Sequence, residues 1–173
     1  MNSETIVLVV QVIAAFGVVV SVVYLGIQIH QQNEITKAQF GHSLTQRQYD
    51  RFFQTTKDEK FSEFLAKDWS ADDLTNTDKW RINHFIMTCL VDLFDVYDKV
   101  KKGFVDESHL NSRISTLRLG VMKSDQGKLM WSFMRNNRTQ EFIEWFEYEI
   151  YEKGHNNEPE KDDRLKEMNI YRA

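Results

Sequence analysis

Asp92, Asp95 and Asp98 stand three residues apart. At 100° per residue, such steps keep carboxylates on neighbouring parts of one helix face. Clustered carboxylates hold hard metal ions or divide acid and base roles between them. Those sites ordinarily gain a histidine or glutamate at the matching step, and none stands there. The pattern therefore reads as an acidic face, exposed or paired with arginine, with Arg113, Arg118, Arg135 and Arg138 as candidate partners. A catalytic reading would need a cleft lined by Asp92, Asp95 and arginines.

The other reactive side chains are scattered. His30, His42, His84, His109 and His155 include no pair at the i, i+3 or i, i+4 spacing that grips a metal on a helix. Cys89 is the single cysteine, so an internal disulfide or cysteine zinc site is excluded. Its neighbours Phe85, Ile86, Leu90 and Leu93 mark it as a small buried hydrophobe. No arginine precedes a histidine by four to six residues, the spacing of metal-independent helical nucleases, and GxxxxGK[ST], GxSxG and GxGxxG are absent. No catalytic residue, cofactor or metal is expected. A net charge of −4 argues against a nucleic-acid binder, which normally carries a basic patch. Trp131, Phe133, Trp145, Phe146 and Tyr148 are spaced as helix core, and the charges among the last of them are Glu144, Glu147 and Glu149.

The elements that would carry these residues are helical. Gly (7) and Pro (1) are scarce and long stretches lack breakers, which favours an all-α chain. Its dominant feature is the run of residues 6–27, IVLVVQVIAAFGVVVSVVYLGI, without one charge. Roughly 20 apolar residues suffice to cross a bilayer's hydrocarbon layer. The start Met-Asn-Ser-Glu lacks the basic opening of a cleaved signal peptide, and Tyr24 to Gln28 is a poor cleavage context, so the run is expected to stay as an anchor. Lys37, Arg47 and Arg51 follow it and no Lys or Arg precedes it, which predicts the N-terminus outside, the larger part cytoplasmic and Tyr24 at the interface.

On a helical wheel Gln11, Ala14, Gly17, Ser21 and Gln28 share an arc of roughly 120°. Gln11, Val18, Leu25 and Gln32 step by seven, as do Ala14, Ser21, Gln28 and Ile35, in the manner of a coiled-coil seam. Lipid cannot satisfy the Gln11 amide, and the small residues permit close approach of a second helix. The alternative is a lone anchor in which Gln28 reaches the interface and Ser21 bonds back to its own helix.

The division expected is a membrane helix over 1–29, a membrane-proximal helical extension over 30–56, a helical bundle over 57–154 and a charged flexible tail over 155–173. The extension has one soft point, Gly41, and a weak apolar stripe of Ile35, Ala38, Tyr49 and Phe52. Asp58 is expected to cap a short helix over 59–66. Thr77 is expected to cap the strongest helix, with Trp80, Phe85, Ile86, Cys89, Leu90, Leu93, Phe94, Tyr97 and Val100 inward and Gly103 closing it. Asp106 is expected to start the next, with Leu110, Ile114, Leu117 and Val121 inward. Ser124 or Asp125 would cap one carrying Leu129, Met130, Phe133 and Met134. Thr139 would open the last, through Phe142, Ile143, Trp145, Phe146 and Ile150 to near Gly154. A short turn over 165–171 completes the expectation.

Tyr24, Leu25, Gln28 and Ile29, followed by Phe94, Asp95, Tyr97, Gly103 and Asp106, form a pattern that resembles a widespread group of short bacterial single-pass membrane proteins of unknown function. The resemblance reaches to about Tyr151 and implies an N-terminal membrane helix with a cytoplasmic helical domain. A weaker, architectural similarity links the chain to membrane-pore accessory proteins of RNA-targeting CRISPR systems, whose Arg–His signature is missing here. The expectation is an inner-membrane, single-pass protein, N-terminus outside, that self-associates in the lipid bilayer through its Gln11 face and acts as scaffold, sensor or effector, with an unidentified cytoplasmic protein as partner. Two alternatives stay open: an oligomeric pore lined by Gln11, Ser21 and Gln28, and a monomeric tethered adaptor.

Overall fold

The computed structural model describes residues 2–152; the tail over 155–173 and its turn lie outside them. Among the described residues there are helices and no strands: α1 (Ser3–Lys57), α2 (Glu59–Leu65), α3 (Asn76–Lys101), α4 (Ser108–Thr116), α5 (Asp125–Met134) and α6 (Gln140–Glu147). The chain divides into two compact units, Met1–Phe40 and Gly41–Ala173. The boundary falls at Gly41, yet α1 continues through it, because one glycine costs only about 1 kcal/mol in a helix interior.

The first unit holds the apolar part of α1. This helix is long and apolar enough to cross a membrane, and none of its most apolar 18-residue stretch is buried. Among the described residues, that stretch contributes no side chain to the buried core.

In the second unit α3 is the axis. Ile82, Ile86, Cys89, Leu90, Leu93 and Val96 are buried along it, and α4 and α5 pack against it. Thr75, not Thr77, caps α3: its hydroxyl accepts from the Asp78 N–H while Asp78 reaches back to the Thr75 N–H. Thr75 has the extended backbone this reciprocal box needs. Lys67 is the strongest influence on Asp78, at 2.6 Å, and with Thr75 it holds that carboxyl down to about 2. Gly103 ends the helix with φ +69, the left-handed turn favoured by glycine.

Asp58, Ser124 and Thr139 cap α2, α5 and α6 as expected. Asp106 instead accepts from the Ser108 N–H in the turn before α4, which starts at Ser108. Both α4 and α6 widen at their ends into π-type turns, Leu117–Val121 and Tyr148–Glu152. Gly127 is required by closeness: a Cβ there would lie 2.3 Å from the Val121 carbonyl oxygen.

One aromatic cluster joins Phe61, Phe64, Trp69 and Phe85; another joins Phe94, Tyr97, Trp131, Phe142, Trp145 and Phe146. Trp80 and Leu129 are exposed, against expectation, as are Phe133 and Tyr148. Three- and four-residue steps admitted Trp80, but it lies about 140° round α3 from the centre of the buried arc. It stacks on His84 instead, with ring centroids 3.8 Å apart.

Candidate functional site

The face proposed for association lies in the first unit. Gln11, Ala14, Gly17, Ser21 and Gln28 are all exposed. The Ser21 hydroxyl donates to the Gly17 carbonyl at 2.8 Å, so it is satisfied inside its own helix and offers a small surface rather than a free donor. Neither glutamine amide has a partner among the described residues. A Cβ built at Gly17 meets nothing within 4 Å. The face is bare, with its polar demand concentrated at Gln11 and Gln28.

In the second unit the chemistry gathers around Asp92. Each three-residue step along α3 turns the side chain by 60°, so exposure rises from 5% at Asp92 to 36% at Asp95 and 48% at Asp98. Burial of Asp92 is tolerable because three guanidinium groups reach it. Arg113 Nε donates at 2.9 Å, Arg51 Nη2 at 3.1 Å and Arg47 Nη1 at 2.9 Å. Arg113 also donates to the carbonyls of Leu44 and His109. One carboxylate thus ties together the end of α1, the middle of α3 and α4. Breaking such a buried pair from one side costs about 3–5 kcal/mol, because the other charge is stranded.

Asp95 shares Arg47 Nη1 at 2.9 Å and also accepts from Lys99. Partial burial pushes its carboxyl up, but Lys99 and Arg47 outweigh that and hold it below the usual range. Arg138 does the same for Asp98 through two donations, at 2.6 and 3.0 Å. Of the expected arginine partners, Arg113 and Arg138 serve the acidic face, while Arg118 pairs with Glu149 and Arg135 with Glu147. Arg47 and Arg51 are the partners that sequence reasoning missed. Their signal was the three- and four-residue spacing that sets them with Leu44, Gln48 and Thr55, the face of α1 that turns inward. The Ile35, Tyr49 and Phe52 stripe is exposed, and Leu44 is the fully buried residue.

Beside this cluster lies an open groove of about 950 Å³ between the end of α1, α2 and α3. Its polar end is formed by Arg47, Arg51, Asp92 and Asp95, and its apolar side by Phe61, Phe64, Phe85 and Val91. Trp80, Arg81 and His84 stand along the α3 wall. A cleft lined by Asp92, Asp95 and arginines does exist, but both carboxylates are committed as ion-pair acceptors. They serve as structural anchors. No group of three His, Cys, Asp or Glu side chains able to hold a metal occurs among the described residues. Burial pushes the Cys89 thiol up to about 11, which makes it a poor nucleophile.

Neither the family models nor the curated proteins nor the solved structures offer a match to this chain.

Proposed function

We propose that the chain is a single-pass membrane protein that self-associates through the Gln11, Ala14, Gly17, Ser21 and Gln28 face. It holds its second unit at the cytoplasmic surface as a scaffold or sensor. One observation carries the reading: an uncharged run of residues 6–27 forms a helix whose apolar side chains find no cover among the described residues. In water that surface would drive aggregation; in lipid it is solvated. The basic residues Lys37, Arg47 and Arg51 after the run support the N-outside orientation, in an inner membrane. Gln11 supports association, since an amide in hydrocarbon seeks a partner. The two seven-residue series also run on in sequence through Gln39, Gln46 and Phe53 and through His42 and Tyr49, and all five are exposed.

The test is the mass of the full chain in lipid nanoparticles. Two or more copies per particle are expected, falling toward one in the double variant Gln11→Leu, Gln28→Leu. A single copy in the parent sequence would replace self-association with a monomeric tethered adaptor.

A further inference from the structure

Within the second unit, the end of α1 has two unlike sides. On one, Leu44 is fully buried and Arg47 and Arg51 reach Asp92. At 100° per residue, His42, Gln46, Tyr49 and Phe53 lie about 140–200° round the helix from Leu44, and all four are exposed. The outer side of a surface helix is ordinarily charged or polar. Here two rings occupy it, Tyr49 at 58% and Phe53 at 46% exposure, stacked with centroids 5.8 Å apart.

Spacing, charge and area together select the occupant. The positions 42, 46, 49 and 53 alternate steps of four, three and four, the rhythm of a coiled-coil seam. Counted in sevens, the same two series lead back in sequence to Gln11 and Ala14. In a parallel pair each seam position meets its own copy, so a carboxylate, lysine or arginine there would repel. None stands at these four positions. Asp50 and Lys57 flank them, Asp50 accepting from the Gln46 amide at 2.8 Å and Lys57 lying 5.9 Å over the Phe53 ring.

The patch is small. A ring about half exposed offers roughly 100 Å², so two copies would cover about 400 Å² of aromatic surface. A stable complex of freely diffusing proteins buries roughly 1,200 Å² or more. This face therefore suits a partner already held alongside, where effective concentration replaces area. A second copy anchored by residues 6–27 is held that way and in the same orientation.

We propose that this face of α1 docks on the same face of a second copy, in a parallel seam through Gln46, Tyr49 and Phe53. The proposal rests on the membrane anchoring and self-association proposed above, and it gives that association a contact outside the lipid.

The test is oxidative cross-linking of single-cysteine variants of the full chain in membranes of expressing cells. Cys89, the one native cysteine, is buried, so an introduced thiol reports on its own position. A disulfide needs Cα atoms within about 7 Å, so Gln46→Cys and Phe53→Cys are expected to form two-copy product at least five-fold faster than Gln54→Cys. Gln54 is exposed and lies about 110° from the seam centre. Adding Tyr49→Lys, at an exposed position, is expected to slow the Gln46→Cys product roughly ten-fold through like-charge repulsion, while Gln11→Cys still cross-links. Equal rates at all three positions of the second unit would overturn the proposal, as would a product at Phe53→Cys whose mass is not that of two copies. Absence of product at both Gln46→Cys and Phe53→Cys would overturn it too. In that case cross-linking at Gln11→Cys would leave the membrane reading standing, whereas its absence with one copy per lipid particle would remove both.

Discussion

The two ends of α1 show how differently one helix can be used. Through the first unit it carries apolar side chains on every side, none of them buried. From Gly41 onward it is mostly polar, yet there it buries Leu44 completely and sends Arg47 and Arg51 to Asp92. Apolar content therefore does not decide what is covered by protein. A single leucine with two properly placed guanidinium groups joins a bundle, whereas the charge-free run of residues 6–27 finds nothing among the described residues to pack against. The first end is long and apolar enough to cross a membrane; the second needs particular neighbours.

The largest effect should come from the charge hub. Asp92→Ala strands Arg113, which is buried at 4% exposure, and is expected to cost about 3–5 kcal/mol by urea unfolding of the detergent-solubilised chain. A loss under 1 kcal/mol would mean that the end of α1 is not held by this carboxylate. Next, Leu44→Ala is expected to cost about 2–5 kcal/mol through the cavity it leaves, whereas Leu25→Ala should leave the same urea midpoint unchanged. Equal losses at Leu44 and Leu25 would erase the distinction between the two ends.

Much of this contrast could be read in the residues and some could not. The long helix, the α3 core from Ile86 to Tyr97 and the caps at Asp58, Ser124 and Thr139 follow from local periodicity and hydrogen-bonding chemistry. The inward turn of Arg47 and Arg51 does not, because it depends on Asp92 41 to 45 residues away. Trp80 and Leu129 were misplaced for a related reason: regular spacing reveals a stripe, but not how wide an arc the neighbours cover. The groove was invisible for the same cause, since its walls come from three separate elements. The arc of Gln11, Ala14, Gly17, Ser21 and Gln28 is legible in the sequence, which left open whether Ser21 bonds back to its own helix; its donation to the Gly17 carbonyl shows that it does.

Smaller effects sharpen the picture within the bundle. Gly127→Ala brings a methyl against the Val121 carbonyl and is expected to cost about 1–3 kcal/mol, seen as a lowered midpoint with an unchanged slope. Thr75→Ala removes the α3 cap and is expected to cost about 1 kcal/mol. Asp78 adds a pH signature. Its carboxyl sits at about 2 in the folded chain against an ordinary 3.8. The stabilisation from its bonds is present above pH 3.8 and is lost as pH falls toward 2. Lys67→Ala is expected to flatten that part of the stability profile, and an unchanged profile would remove Lys67 as the main cause.

The most direct test of the membrane placement is detergent-free lysis of cells expressing the full chain, followed by carbonate extraction of the membrane pellet. The intact chain is expected to stay in the extracted pellet and to leave it only with detergent, and Val19→Asp together with Val20→Asp should release it. Recovery of the unaltered, intact chain in the soluble fraction would contradict the placement of residues 6–27 in lipid.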